Sequence, residues 1–291
     1  MDIAVVIPAY NRPEMLLRAV ESVLSQTTPP KEFVVVDDGS GVNLSVVHAR
    51  VEAAGHRFLS GPNSGVAHAR NRGIHATKSD WIAFLDSDDY WLPEKLACQS
   101  QYLANNPDLR IAQCQEIWYR DGIRVNPGKA HVMRSGDIFL HALKVCAISS
   151  SSVVMHRSIF DAIGTFDENL VVCEDYDLWL RVTAKFKIGL LEPALTVKFG
   201  GHADQLSKSQ VAMDRFRVYS LLKLLRETKL TVSQETAVWK VLKQKCRILA
   251  AGARKRGQVD TAVIYEAMVC EQITKPNTDS DLAILLSLGA Q

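Results

Sequence analysis

The sequence lacks most of the short signals that would assign it at once. Its six cysteines, Cys98, Cys114, Cys146, Cys173, Cys246 and Cys270, form no Cys-x-x-Cys pair and no Cys/His ligand spacing, so they read as free thiols in a reducing compartment rather than as a metal cage. No G-x-G-x-x-G follows the first apolar run, which excludes a Rossmann dehydrogenase. No apolar stretch approaches the roughly 18 residues that a membrane span requires. Asp2 and an apolar strand, not a basic segment, follow Met1, so no leader is read there. A cytoplasmic protein is predicted.

At 291 residues and 47% hydrophobic content, the chain can bury one large core with an appendage. Its net charge of +2 hides an asymmetry. Residues 208 to 257 carry 13 Lys/Arg against 3 Asp/Glu, a net +10, while the segments 1 to 207 and 258 to 291 each come to −4. The basic block marks a boundary near 205. It predicts a catalytic domain over 1–207, divided into halves 1–110 and 111–207, and a helical region over 208–291.

"IAVVIP" (Ile3 to Pro8) and "FVVVDD" (Phe33 to Asp38) are continuous Val/Ile runs, as parallel strands buried on both faces require. Between them Leu16, Val20, Val23 and Leu24 keep helical spacing, with Asn11 as the predicted cap and Glu14 three residues on. "RFLSGP", "NSGVAHARNRGIHAT" and "WIAFLD" repeat the strand, helix, strand order. An open, mostly parallel α/β sheet with helices on both sides follows, and ligands of such sheets bind beyond the carboxyl ends of the strands.

Polar chemistry gathers at that edge: "PAYNR" after the first strand, "DDGS" after the second and "DSDD" after the fourth. Asp86 and Asp88, two residues apart, can present oxygens together to a hard cation such as Mg²⁺ or Mn²⁺, although Asp-x-Asp alone is equally a solvated helix turn. Asp38 in "DDGS" can accept from a nucleobase N–H or a ribose hydroxyl, or simply shape an Asp-Gly turn. "CEDYDLWLRVTAKF" reads as a helix opened by acids, Glu174 and Asp175 among them, favourable at the positive end of the helix dipole. Arg70 points either to donor phosphates or to solvent. His202, in a Gly-flanked loop, can reach a metal or a diphosphate as a neutral imidazole. Ser149 to Ser152 can meet an acceptor sugar or form a plain strand edge.

Taken in order, "IPAYNR", "VVVDDGS", "NSGVAHARNRGI", "FLDSDD", "IGTFDE" and "CEDYDLWLR" resemble family 2 of the inverting glycosyltransferases, over about residues 2 to 207. The resemblance implies the GT-A fold and transfer of a sugar from a nucleotide-diphosphate donor, a UDP-sugar, to a hydroxyl of a glycan or lipid-linked acceptor, in cell-surface polysaccharide or lipopolysaccharide synthesis. It implies that Pro8, Ala9, Tyr10 and Arg12 line the base pocket and that Asp38 binds the base. It further implies Asp86 and Asp88 as ligands of Mn²⁺ or Mg²⁺, and Asp175 as the general base, with Glu174 the first alternative.

Two other classes fit parts of the pattern. A nucleotidyltransferase also uses paired aspartates, but it would bring a Gly-rich phosphate loop that "IPAYNRPEM" lacks. A non-catalytic or DNA-binding protein would use the +10 segment, but no nucleic-acid motif accompanies it and no nucleic-acid partner is predicted. In "AVWKVLKQKCRILAAGARKRG", Lys240, Lys243, Arg247 and Arg254 share one helical face and Trp239, Leu242, Cys246 and Leu249 another. That two-faced helix is either a packed appendage or one that also meets an anionic membrane surface.

Overall fold

A computed structural model describes residues 1–201, 210–270 and 285–288. The first run forms β1 (Ile3–Ala9), every residue of it buried. In chain order there follow α1 (Pro13–Leu24), β2 (Glu32–Asp37), α2 (Ser45–Ala53), β3 (Arg57–Ser60), α3 (Val66–Ala76) and β4 (Trp81–Phe84). Then come β5 (Tyr90–Trp91), α4 (Lys95–Asn105), β6 (Ile111–Arg120), β7 (Ile123–Val125), α5 (Phe139–Ala142), β8 (Val153–His156), α6 (Ser158–Ile163), α7 (Glu174–Lys185) and β9 (Gly189–Gly200). Beyond them lie only helices among the described residues: α8 (Asp214–Glu227), α9 (Val232–Lys255) and α10 (Val259–Cys270).

The sheet runs β3-β2-β1-β4-β8-β6-β9-β5, with β7 paired to β6. β3, β2, β1 and β4 are parallel neighbours, as the strand, helix, strand repeat predicts. The other half is mixed: β8 runs antiparallel to both β4 and β6, and β5 antiparallel to β9. Because β2 lies on one side of β1 and β4 on the other, the strand order reverses at β1. That reversal opens a crevice beyond the carboxyl ends of β1, β2 and β4.

Side chains alternate across the sheet with a period of two. Val5 and Ile7 face a core shared with Leu16 and Val20 of α1 and Leu96 and Leu103 of α4. Ala4 and Val6 face the other core, with Tyr176 and Trp179 of α7, Leu221 and Leu225 of α8, and Leu242, Cys246 and Leu249 of α9. The C-terminal helices therefore extend one face of the sheet's own core. The predicted boundary at 207/208 lies outside the described residues.

One local expectation is corrected. Asn11 does not cap α1: the flanking residue is Arg12, with Pro13 in the first turn and no side-chain cap. Asn11 is left-handed at φ 53°, and its amide oxygen accepts from Gly41 N at 2.7 Å instead. The side chain thus ties the end of β1 to the loop after β2, where it cannot also serve the helix.

Candidate active site

The three aspartates after β4 take three different roles. Asp86 Oδ1 accepts from Arg70 Nη2 at 2.8 Å, while its backbone N–H donates to Ser151 Oγ at 3.1 Å. Asp88 Oδ2 accepts from Arg12 Nη1 at 2.7 Å, and its carbonyl from Arg18 Nη2 at 2.6 Å. Asp89 is only 1% exposed. It accepts from Ser151 Oγ at 2.6 Å and Phe199 N at 3.1 Å, with Lys198 Nζ 3.3 Å away. Asp89 is a structural pin between β9 and the loop before β8, and the two aspartates left at the crevice are the predicted pair.

Arg70 does not reach solvent. It is 4% exposed, lies over the Phe166 ring at 5.1 Å, and extends its second arm to Glu174 Oε1 at 2.5 Å. Helical spacing puts it on the stripe of Ala67 and Ile74, which are buried against the sheet. The chain Asp86–Arg70–Glu174 therefore joins the end of β4 to the opening of α7 through one buried guanidinium.

Electrostatics follow from this bridge. Burial pushes the Asp86 acid up, but Arg70, Lys198 and Arg12 outweigh it and hold the group below its ordinary range. Asp89 goes the other way, to about 7, through burial assisted by the charges of Asp88 and Asp86. Burial and the adjacent Asp175 lift Glu174 to about 7 against the pull of Arg70. Asp86 is thus the carboxylate held ionised at the crevice, while the buried Asp89 behind it and Glu174 across Arg70 are both raised.

At the end of β1, Pro8 and Ala9 pair with Val36 and Asp37 of β2, and Tyr10 stands 48% exposed beyond them. Asp38 is buried, with Oδ1 accepting from Ser64 N at 2.9 Å and Oδ2 from Gly65 N at 2.8 Å. It clamps the loop that leads into α3. Gly39 follows at φ 76°, where an added Cβ would sit 2.5 Å from Asn63 N, so the two loops can close only on a glycine.

Asp175 lies in the first turn of α7. Its Oδ1 accepts from Tyr176 N at 2.6 Å and its Oδ2 from Cys146 Sγ at 3.2 Å. The flanking Cys173 is held left-handed at φ 63°, a conformation that non-glycine residues adopt at a cost and that clusters at functional sites. His202 lies outside the described residues.

Residues 4–164 match the family model described as Glycosyl transferase family 2. The chain belongs to glycosyl transferase family 2. It is 30% identical over 212 residues to an uncharacterized glycosyltransferase of Rickettsia felis, covering 71% of this chain and 35% of that one. It is 29% identical over 223 residues to the UDP-Glc:alpha-D-GlcNAc-diphosphoundecaprenol beta-1,3-glucosyltransferase WfgD of Escherichia coli, covering 74% and 81% of the two chains. The chain spans about a third of the length of the Rickettsia felis relative and of those it matches in Rickettsia bellii and Rickettsia conorii. Among solved structures, S. aureus TarS 1-349 in complex with UDP-GlcNAc superposes with a TM-score of 0.74 at 16% identity, covering 92% of this chain and 82% of that one. The GT-A fold expected from the motifs is the fold found.

Within this family 2 chain, Asp86, Asp88, Arg12, Arg70 and Glu174 come together as one charged network. Asp38 is tied to the loop before α3 and Asp175 to Cys146. Among the described residues, no group of three or more His, Cys, Asp or Glu side chains is arranged to hold a metal. Two carboxylates nevertheless suit Mg²⁺ or Mn²⁺, which commonly take one or two carboxylates and complete their shell with water and substrate phosphate oxygens. Asp86 offers an ionised group for this, with a second oxygen that makes no hydrogen bond among the described residues. Sequence reasoning missed Arg18, Lys198 and Cys146. Arg18 and Lys198 are brought in from α1 and β9 by tertiary packing, and only their being single cations among apolar neighbours signalled them.

Proposed function

We propose that this protein transfers a sugar from a UDP-sugar to a hydroxyl of a glycan or lipid-linked acceptor, by a single displacement that inverts the anomeric centre. The observation that carries it is the Asp86–Arg70–Glu174 bridge, which couples the aspartate pair at the end of β4 to the acidic opening of α7. Pro8, Ala9, Tyr10, Arg12 and Asp38 receive the nucleoside. Asp86 and Asp88 hold Mn²⁺ or Mg²⁺, which when bound supplies positive charge to the departing diphosphate. Asp175 accepts the proton of the acceptor hydroxyl as its oxygen bonds the anomeric carbon and UDP leaves. Glu174, engaged with Arg70, holds that guanidinium rather than taking the proton. Synthesis of a cell-surface polysaccharide or lipopolysaccharide is the setting that such an acceptor implies.

The metal role is tested by titrating UDP-glucose and UDP-GlcNAc with and without Mn²⁺, following thermal stabilisation. Asp88→Ala is expected to weaken the Mn²⁺-dependent part of binding by about 10- to 100-fold, the worth of one charged contact. A variant with wild-type Mn²⁺ dependence would assign the metal elsewhere.

The same reading gives the basic helix a task. Lys240 and Arg247 stand exposed along α9, Lys243 is half-buried, and Arg254 is exposed but paired with Glu266. Ile248 is 56% exposed beside them, while Leu242, Cys246 and Leu249 pack inward. Lys245, by contrast, is buried on Asp214 at 2.8 Å. No helix among the described residues is long and apolar enough to cross a membrane. Peripheral contact through the exposed cations, each contributing about 1 kcal/mol near an anionic surface, would bring the site to a lipid-linked acceptor. The protein is expected to cosediment with phosphatidylglycerol vesicles but not with phosphatidylcholine ones at low ionic strength. Release is expected near 0.5 M salt, roughly where screening shortens to a few ångströms, and again when Lys240, Lys243, Arg247 and Arg254 become Gln. Equal behaviour towards both vesicle types would leave α9 as structure alone.

A further inference from the structure

Cys146 lies between α5 and β8, in a stretch with no regular structure, 29 residues before the carboxylate it meets. Its Sγ is 3.2 Å from Asp175 Oδ2 and 3.5 Å from the carbonyl oxygen of Ile148. One thiol proton can serve only one of them well, and the carboxylate is both nearer and charged. On the other oxygen, Asp175 Oδ1 accepts from Tyr176 N at 2.6 Å. Among the described residues, each oxygen of the carboxylate therefore has one protein donor. The plane of the group is fixed, and a second lone pair on each oxygen is left for an incoming hydroxyl. We infer that Cys146 is a positioning residue for Asp175, holding the carboxylate of the proposed base in the orientation that receives the acceptor's proton.

Sulfur suits this task. A thiol is a weak donor, so it orients the carboxylate while lowering its basicity less than a hydroxyl would. It must stay protonated to donate, and burial with the nearby Asp175, Cys173 and Glu174 pushes the Cys146 thiol well above its ordinary range. Cys173, two residues before Asp175, is likewise pushed up by burial, to about 12. Both sulfurs are therefore protonated at neutral pH, and Cys146 acts as a donor, not as a nucleophile.

The inference rests on Asp175 being the base, and one series separates the two claims. Wild type, Cys146→Ala, Cys146→Ser and Asp175→Asn are compared for hydrolysis of UDP-glucose and UDP-GlcNAc with Mn²⁺, water serving as acceptor, between pH 5 and 9. The charged and titratable groups around Asp175 are Glu174 and Tyr176 on its own helix, Arg70 from α3, Cys146 and Cys173, with Arg217 and Asp214 of α8 near Cys173 and Tyr176. All but Cys146 and Asp175 itself are common to the series. Removing a donor from a carboxylate disfavours its charged form, so Cys146→Ala is expected to move the acid limb of kcat/KM up by about half a pH unit. It is also expected to lower kcat by about three- to tenfold, with little change in KM. Cys146→Ser, which restores a donor, is expected to return kcat to within about twofold and the acid limb to or below the wild-type position. If Asp175→Asn is inactive while the Cys146→Ala profile superposes on wild type, the positioning role fails and the base stands. Loss of stability in Cys146→Ala with an unmoved acid limb means that Cys146 only packs. Full activity in Asp175→Asn overturns both claims.

Discussion

Asp175→Asn is expected to slow sugar transfer by about 10² to 10⁴ while leaving the affinity for UDP-sugar near wild type, because a positioned base contributes about that factor. The substitution keeps the shape of the side chain. An asparagine carbonyl can still accept from Tyr176 N, the contact of 2.6 Å that holds Asp175 Oδ1. What it cannot do is take a proton. Single-turnover measurement on donor-saturated enzyme reads the chemical step, and a calorimetric titration of donor reads binding. The nearest substitute is Glu174, but it is buried with one oxygen engaged by Arg70, whereas Asp175 is half-buried. Unchanged turnover in Asp175→Asn would assign the base to another group.

The second large effect concerns Arg70. Arg70→Met keeps an unbranched apolar side chain but removes the guanidinium, with its place over the Phe166 ring, and leaves Asp86 and Glu174 without their shared cation. Breaking a buried ion pair from one side costs about 3–5 kcal/mol, and the variant should unfold in urea at a correspondingly lower midpoint. The pH dependence has a definite sign. Glu174 has a folded-state pKa raised to about 7, above its value in the unfolded chain. Its stabilising contribution is complete below the unfolded value and is lost as pH rises through 7. Without Arg70 the Glu174 acid moves further up, so the deficit of the variant should grow from pH 5 to pH 8. Arg70→Met combined with Glu174→Gln should recover part of the loss at pH 8. A single variant as stable as wild type at both pH values would show that the bridge carries no structural weight.

Much of this framework is legible in the sequence, and the reasons are physical. β1 and β2 are read correctly because a strand covered on both faces has to be apolar throughout, and "IAVVIP" and "FVVVDD" have no other use. The helix opening at Glu174 is read from its acids. α2 escapes because only Val47 and Val51 of it are buried, too few to make a stripe. The mixed half of the sheet escapes because strand direction there depends on which neighbour each strand finds, and β8 inserts between β4 and β6 without any local signature. Arg70 was readable in principle. Ala67, Arg70 and Ile74 recur at helical spacing, so a charge on an apolar stripe calls for a buried partner, and that partner is 104 residues away at Glu174. Contacts such as Cys146 with Asp175 leave no trace in local pattern at all.

The measurement that bears most directly on the proposed mechanism is the configuration of the released sugar. When water replaces the acceptor, an α-linked UDP-glucose or UDP-GlcNAc donor cleaved by one displacement gives the β-anomer first. Proton NMR recorded before mutarotation equilibrates the product resolves the two anomers. The account predicts that the β-anomer appears first and that its rate falls in Asp175→Asn. First appearance of the α-anomer would contradict a single displacement and, with it, the role assigned to Asp175.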